Sequence, residues 1–153
     1  MNIQKICPKQ KEKLIGQAQS NPRLRSHHNF HPKLDDPINR LCITLSKGTY
    51  ILPHQHTHSS KWELILALQG KIGVLLYDQD GIVVDHFELS QEQVSAFEMP
   101  PSTWHSLYAI TDTAMFFEVK PGPFMPSQPH EFATWSPAEG QQGVDKFLSW
   151  SKQ

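Results

Sequence analysis

The chain has little cysteine, no surplus of either charge and no long apolar run. Its two cysteines, Cys7 and Cys42, lie far apart and form no CxxC pair, which argues against a structural disulfide and for reduced thiols. With 14 basic and 15 acidic side chains, the formal charge of -1 provides no basic surface for nucleic acid or an anionic membrane. Small molecules are the expected partners. No hydrophobic stretch approaches the ~20 residues that span a bilayer, and the opening MNIQKICPKQKEKL lacks a secretory leader's apolar segment, so a cytoplasmic location is expected. What remains, 153 residues with 38% hydrophobic side chains, four Trp and eight Phe, suffices for one core.

That single domain divides into an N-terminal helix and irregular arm (1–39), a β body (40–122) and a C-terminal extension with a helix (123–153). From Pro8 to about Gln19, Lys, Gln and Glu surround an apolar stripe of Leu14, Ile15 and Ala18, which predicts a short amphipathic helix packed on the outside. The following NPRLRSHHNFHPKLDDPIN reads as ordered loop or short edge strands, because each proline removes a backbone donor. At the other end, Ser136, Pro137 and Glu139 have the spacing of a capping box, while Gly140 and Gly143 push the expected helix to Val144–Trp150, with Val144, Phe147 and Leu148 inward.

Between these ends lie eight strand-like segments, at 40–45, 49–53, 62–68, 71–77, 82–89, 94–99, 104–110 and 114–119, separated by turn formers such as Lys47-Gly48, Gln69-Gly70 and Asp80-Gly81. Their number and spacing predict an all-β sandwich or barrel of antiparallel hairpins. WELILAL is apolar on both faces, so a terminal helix or a second subunit, as in a homodimer, should cover its outside.

The chemistry concentrates in His54, His56 and His58, at alternate positions ahead of Glu63, with His105 about forty residues later. Alternate strand residues share a face, so His54 and His56 can converge, joined by His58 if the extended conformation continues. Imidazole and carboxylate together suit a divalent transition metal (Fe, Mn, Ni, Co or Zn), and three or four ligands leave positions open for substrate, water or dioxygen. His27, His28, His86 and His130 read as surface or hydrogen-bonded residues, and Trp62, Trp104 and Tyr108 as core or interface aromatics.

These residues resemble the cupin superfamily. Gly48, five residues, then His54-x-His56 matches the front of its first motif, and Glu63, six residues, Gly70 matches the back; six residues separate His56 from Glu63, whereas His56-x-His58 would restore the usual gap of four. Pro100-x-Ser102-x-x-His105 resembles the second motif, with Ser102 in place of Gly and Ala109 in place of Asn. The segments NPRLRSHHNFH, RLCITLSKGTYILPHQHTHSSKWELILALQG, MPPSTWHSL, EVKPGPFMP and FATWSPAEG resemble the WbuC-type cupin-fold metalloproteins over most of the chain.

The resemblance implies a cupin double-stranded β-helix, a jelly-roll barrel with short terminal helices. It implies a metal set of His54, His56, Glu63 and His105, with His58 as a loop residue. Asn29, His31, Arg40, Lys61 and Glu118 fall in the resembling stretches and are candidates for the pocket wall, with Lys61, Glu118 and His31 as candidate proton carriers. The association of WbuC-type proteins with bacterial surface polysaccharide (O-antigen and lipopolysaccharide) implies a metal-dependent enzyme, isomerase- or epimerase-like, acting on a sugar or sugar derivative. Two alternatives stay open, an iron(II)-dependent dioxygenase and a non-catalytic binding or regulatory cupin.

Overall fold

A computed structural model describes residues 3–150. It contains α1 (Pro8–Ser20), β1 (Arg25–Asn29), β2 (Ile38–Ser46), β3 (Glu63–Gln69), β4 (Ile72–Tyr77), β5 (Val83–Leu89), β6 (Ala96–Met99), β7 (Trp104–Ala109), β8 (Thr113–Pro121), a 3-10 turn (Pro129–Glu131) and α2 (Val144–Trp150). The strands form two antiparallel sheets, ordered β1-β2-β8-β3-β6 and β5-β4-β7. This is a jelly roll of two facing sheets. The expected jelly roll is present, and among the described residues strand pairing does not run from one sheet into the other.

Alternation along the strands builds the core. Leu41, Ile43 and Leu45 of β2, Ile65 of β3 and Phe116 of β8 point inward to meet Ile72 and Val74 of β4 and Leu107 of β7. The intervening residues form the outer face of the larger sheet, where Cys42 and Met115 are fully buried beneath Leu14. α1 supplies that cover. Pro8 opens it at a position where a missing N–H costs nothing, and Leu14 and Ala18, one turn apart, face the sheet. Ile6, Ile15 and Phe30 flank the contact, which reaches Leu68 of β3. The second apolar face of WELILAL is thus partly shielded by α1.

Two local expectations are corrected. Residues 49–53 form no strand: Thr49 closes a turn onto Ser46 O, its hydroxyl is held by Arg23 O, and Pro53 has no N–H to give a ladder. The missing strand is replaced by β1, in the proline-free run between Pro22 and Pro32, paired along Arg25↔Leu45 to Asn29↔Leu41. Ser136 to Glu139 cap no helix, for α2 begins at Val144 beyond Gly140 (φ 75°) and Gly143 (φ 99°), and the Glu139 carboxylate binds two arginines instead. The extension closes one end of the sandwich through Trp135, whose ring lies 5.0 Å from Tyr77 and 6.0 Å from Trp104. No helix among the described residues is long and apolar enough to cross a membrane.

Candidate metal centre and its cavity

The histidine segment is delivered by main-chain bonds. His54 and His105 exchange N–H···O bonds of 3.0 and 2.9 Å, Ser102 N–H donates to His56 O at 2.8 Å, and Gln55 N–H donates to Glu131 O. Glu131 secures the same segment with its side chain, accepting from Thr57 N–H at 2.7 Å, the Thr57 hydroxyl at 2.9 Å and Gln128 N–H at 2.8 Å. Burial tends to raise the Glu131 carboxyl, but these donors outweigh it and hold it down to about 2. The loop is therefore fastened through a carboxylate held in its ionised form near neutral pH.

Glu63, the first residue of β3, is 3% exposed, and His105, the second of β7, is equally buried. Glu63 Oε1 lies 3.1 Å from His56 Nε2 and Oε2 lies 3.3 Å from His105 Nε2, so one carboxylate spans two imidazoles. The His54 ring centroid is 4.3 Å from that of His105 and 5.3 Å from that of His56. The four residues are thus brought together. Nδ1 of His54 and of His105 contacts a carbonyl, Leu52 O at 3.0 Å and Thr103 O at 2.9 Å, which turns each Nε2 away from the main chain, that of His105 toward Glu63. Burial first, then His105 and His56, pushes His54 down to about 3, so its ring is neutral.

Lys120, on β8 opposite the start of β3, was not singled out by the sequence. Its ammonium donates to Glu63 Oε1 at 2.9 Å and sits 2.7 Å from Glu118 Oε1. Burial alone would discharge it, but the two carboxylates raise it above the ordinary lysine value. Burial likewise favours a neutral Glu63, yet Lys120 and then the two histidines hold it well below the usual carboxylate range. For Glu118 burial prevails over Lys120, and its carboxyl is raised. A readable signal existed: Phe116, Glu118 and Lys120 share one strand face, and two charges continuing an apolar inward row mark a polar site.

His54, His56, His105, Glu118 and Lys120 line a cavity of about 730 Å³ between the sheets, while Glu63 is not among its lining residues. Apolar Leu41, Ile43, Ile51, Leu107 and Phe116 form much of its remaining wall. Asn29 and His31 also line it, the latter through a ring whose Nδ1 accepts from Arg40 N–H at 3.1 Å. Lys61 lines it too, with its ammonium donating to Pro121 O and Pro123 O at 2.8 Å each. Arg40 and His58 are not among the lining residues. Arg40 pairs with Asp36 at 3.2 Å, and His58 contacts the Ser60 hydroxyl at 2.8 Å on an exposed loop.

The fit to a divalent ion rests on donor chemistry. Two imidazoles, of His56 and His105, reach the buried Glu63 carboxylate, the His54 ring packs on His105, and His56 Nε2 is buried without a hydrogen-bond partner despite its proximity to Glu63. No three His, Cys, Asp or Glu side chains among the described residues are already drawn to common coordinating positions. The Glu63 carboxylate is instead shared between the imidazoles and Lys120. The donor set fits in kind, with Lys120 in the position of a resident cation.

Fold and core together define the class, an all-β jelly roll of two antiparallel sheets. More narrowly, the chain belongs to the family described as Domain of unknown function (DUF6016), which matches residues 6–89. No curated protein matches it. Among solved structures it is similar to a conserved protein of unknown function from Streptococcus pyogenes, at 14% identity and a TM-score of 0.51, over 69% of this chain and 80% of that one. It is also similar to KdgF from Halomonas sp., at 21% identity and a TM-score of 0.50, over 67% of this chain and 84% of that one. A third is the DMSP lyase DddQ from Ruegeria pomeroyi, at 14% identity and a TM-score of 0.52, where the match spans 67% of this chain but 49% of the lyase. Identities this low speak to the fold alone.

Proposed function

We propose that this protein is a metal-dependent cupin enzyme that binds one divalent transition ion through His54, His56, Glu63 and His105 and acts on a sugar or sugar derivative. The observation that carries the reading is one buried carboxylate, Glu63, within reach of His56 and His105, with the His54 ring packed against His105 and all three histidines on the wall of a ligand-sized cavity. The WbuC-type resemblance supports the sugar, and with it a role in bacterial surface-polysaccharide metabolism. The ion, when bound, supplies Lewis-acid polarisation of a carbonyl or hydroxyl.

The chain's own residues do the rest. Carbonyls of Leu52 and Thr103 fix the rings of His54 and His105, and Glu131 pins the loop that carries His56. Glu118 and Lys120 form a buried acid and base pair within the cavity, able to hold or pass a proton at Glu118 Oε1 or Lys120 Nζ. That pair favours an enzyme over a passive binder, because shape and polarity alone would suffice for binding. The apolar wall excludes water from the far side of a bound ligand.

The test is to load the protein with Fe(II), Mn, Ni, Co or Zn in turn and screen it against sugars and sugar nucleotides while following oxygen uptake. Metal-dependent conversion of a sugar without oxygen uptake is expected. Stoichiometric oxygen consumption with iron alone would instead establish the dioxygenase, and ligand binding without turnover by any metal form the non-catalytic cupin.

A further inference from the structure

Arg23 and Arg25 flank Leu24, which has a positive φ of 52°. That kink lets side chains two residues apart close on one target. Arg23 Nε donates to Glu139 Oε2 at 2.8 Å and Nη2 to Oε1 at 3.2 Å, while Arg25 Nη2 donates to Oε1 from the other side. Arg25 is only 8% exposed, and its Nη1 is fixed on Tyr50 O at 2.8 Å, so this half of the fork is rigid. The Arg23 side chain is 60% exposed and Glu139 31%, so the other half opens to solvent. Two guanidinium groups holding both oxygens of one anion is the geometry in which proteins bind carboxylates and phosphates.

All three residues line the cavity that contains the histidine cluster. The anion filling the fork comes from a turn ending in two positive-φ glycines, and at Gly140 nothing lies within 4 Å of where a Cβ would be. The segment that carries this carboxylate is fixed close by, where the Tyr50 hydroxyl donates to Pro137 O at 2.7 Å. Around the cavity, Arg23, Arg25, Lys61 and Lys120 stand against the carboxylates of Glu118 and Glu139, and Lys61 is bound by carbonyls rather than by an acid. With Glu63, which Lys120 also binds, four cations face three carboxylates. Removing Glu139 from the fork would leave two guanidinium groups at the cavity wall with no counter-charge.

We infer that the Arg23–Arg25 fork is an oxyanion subsite of this cavity, that the ligand carries a carboxylate or phosphate which docks there, and that Glu139 is the internal carboxylate which the ligand displaces. The inference rests on the reading of the cavity as a ligand site and names the class of that ligand: one anionic group, an apolar-contacting middle, and a polar end toward the histidine cluster.

The experiment uses the full chain without metal, following arginine Nε–H resonances and binding heat with inorganic phosphate, then with glucose 6-phosphate and glucose. Glu139→Gln should bind inorganic phosphate about tenfold more tightly than the parent, and adding Arg23→Gln should reverse that gain. The Arg25 Nε–H resonance should move with saturation, and binding should weaken as salt is raised. Glucose 6-phosphate should bind and glucose should not. Arg23 is exposed, so Arg23→Gln leaves the core intact where Arg25 variants threaten it. Equal phosphate affinity in parent and Glu139→Gln, indifference to Arg23→Gln, or equal binding of glucose and its phosphate would each overturn the subsite. Because no metal is present, such a failure leaves the metal centre standing, whereas intact phosphate binding in a protein that takes up no metal would remove the metal reading and keep the subsite.

Discussion

Replacing Lys120 by Met removes the one ammonium between two carboxylates while keeping most of the side chain's length. In the parent, Nζ lies 2.9 Å from Glu63 Oε1 and 2.7 Å from Glu118 Oε1, and the two acids are 3% and 6% exposed. Taking one partner from a buried pair costs roughly 3–5 kcal/mol, since the remaining charge is neither solvated nor compensated. The loss is bounded because Glu118, already raised by burial, can take up a proton instead. At roughly 2–4 °C per kcal/mol for a domain of this size, the metal-free variant should melt about 6–20 °C below the parent at pH 7.5. The deficit should shrink at pH 5, where protonating a carboxyl whose folded-state pKa lies above its unfolded value relieves the repulsion. Added zinc should raise the melting temperature of Lys120→Met more than that of the parent, because the ion no longer competes with Lys120 for Glu63. Differential scanning fluorimetry at both pH values, with and without zinc, measures all three. A deficit below about 2 °C, or one unchanged at pH 5, would refute the view that Lys120 neutralises this pair.

Other outcomes follow from the same geometry. His56→Ala or Glu63→Ala should lose most bound metal by elemental analysis, whereas His58→Ala, altering an exposed loop contact, should keep it. Glu131→Gln should loosen the histidine loop: the parent carboxylate is held to about 2 against an ordinary 4.5, so its contribution is complete above about pH 5 and lost as pH falls toward 2. Allowing for solvent screening, that contribution is roughly 1–2 kcal/mol, and the difference between parent and variant in urea unfolding should narrow between pH 5 and pH 3. Leu14→Ala should cost about 2–5 kcal/mol and raise dye binding to the uncovered sheet face, since Leu14 is 2% exposed against Cys42 and Met115. Gly73→Ala should also destabilise, by roughly 1–3 kcal/mol in the same assay, because its Cβ would lie 2.1 Å from the Tyr108 ring.

The sheet was legible because it depends on period-two alternation. Residues 62–68, 71–77, 104–110 and 114–119 each overlap a strand whose limits lie within about two residues of those expected, and α1 and α2 fall where their stripes and glycines put them. What alternation cannot report is pairing. Little in the local pattern says that 49–53 leaves the ladder while the histidine-rich arm supplies β1, because that depends partly on distant groups, Thr49 Oγ1 donating to Arg23 O and Arg25 Nη1 donating to Tyr50 O. The Ser136–Glu139 spacing misled for a related reason: a carboxylate three residues past a serine suits a cap, and here two arginines over a hundred residues away compete for it. His54, His56, Glu63 and His105 were readable as a set because side-chain type and motif spacing survive in one dimension. Lys120 showed only as a charge continuing the Phe116 and Glu118 face, since its partner comes from cross-strand register with Glu63 rather than from neighbours in sequence.

X-ray absorption on the protein purified without added metal addresses the proposed centre directly. A bound transition ion at about one per chain, with nitrogen and oxygen scatterers at roughly 2.0–2.2 Å and lost in His56→Ala, is the predicted result. Protein that takes up no ion even when offered iron, manganese, nickel, cobalt or zinc, or that holds one unchanged in His56→Ala and Glu63→Ala, would contradict it.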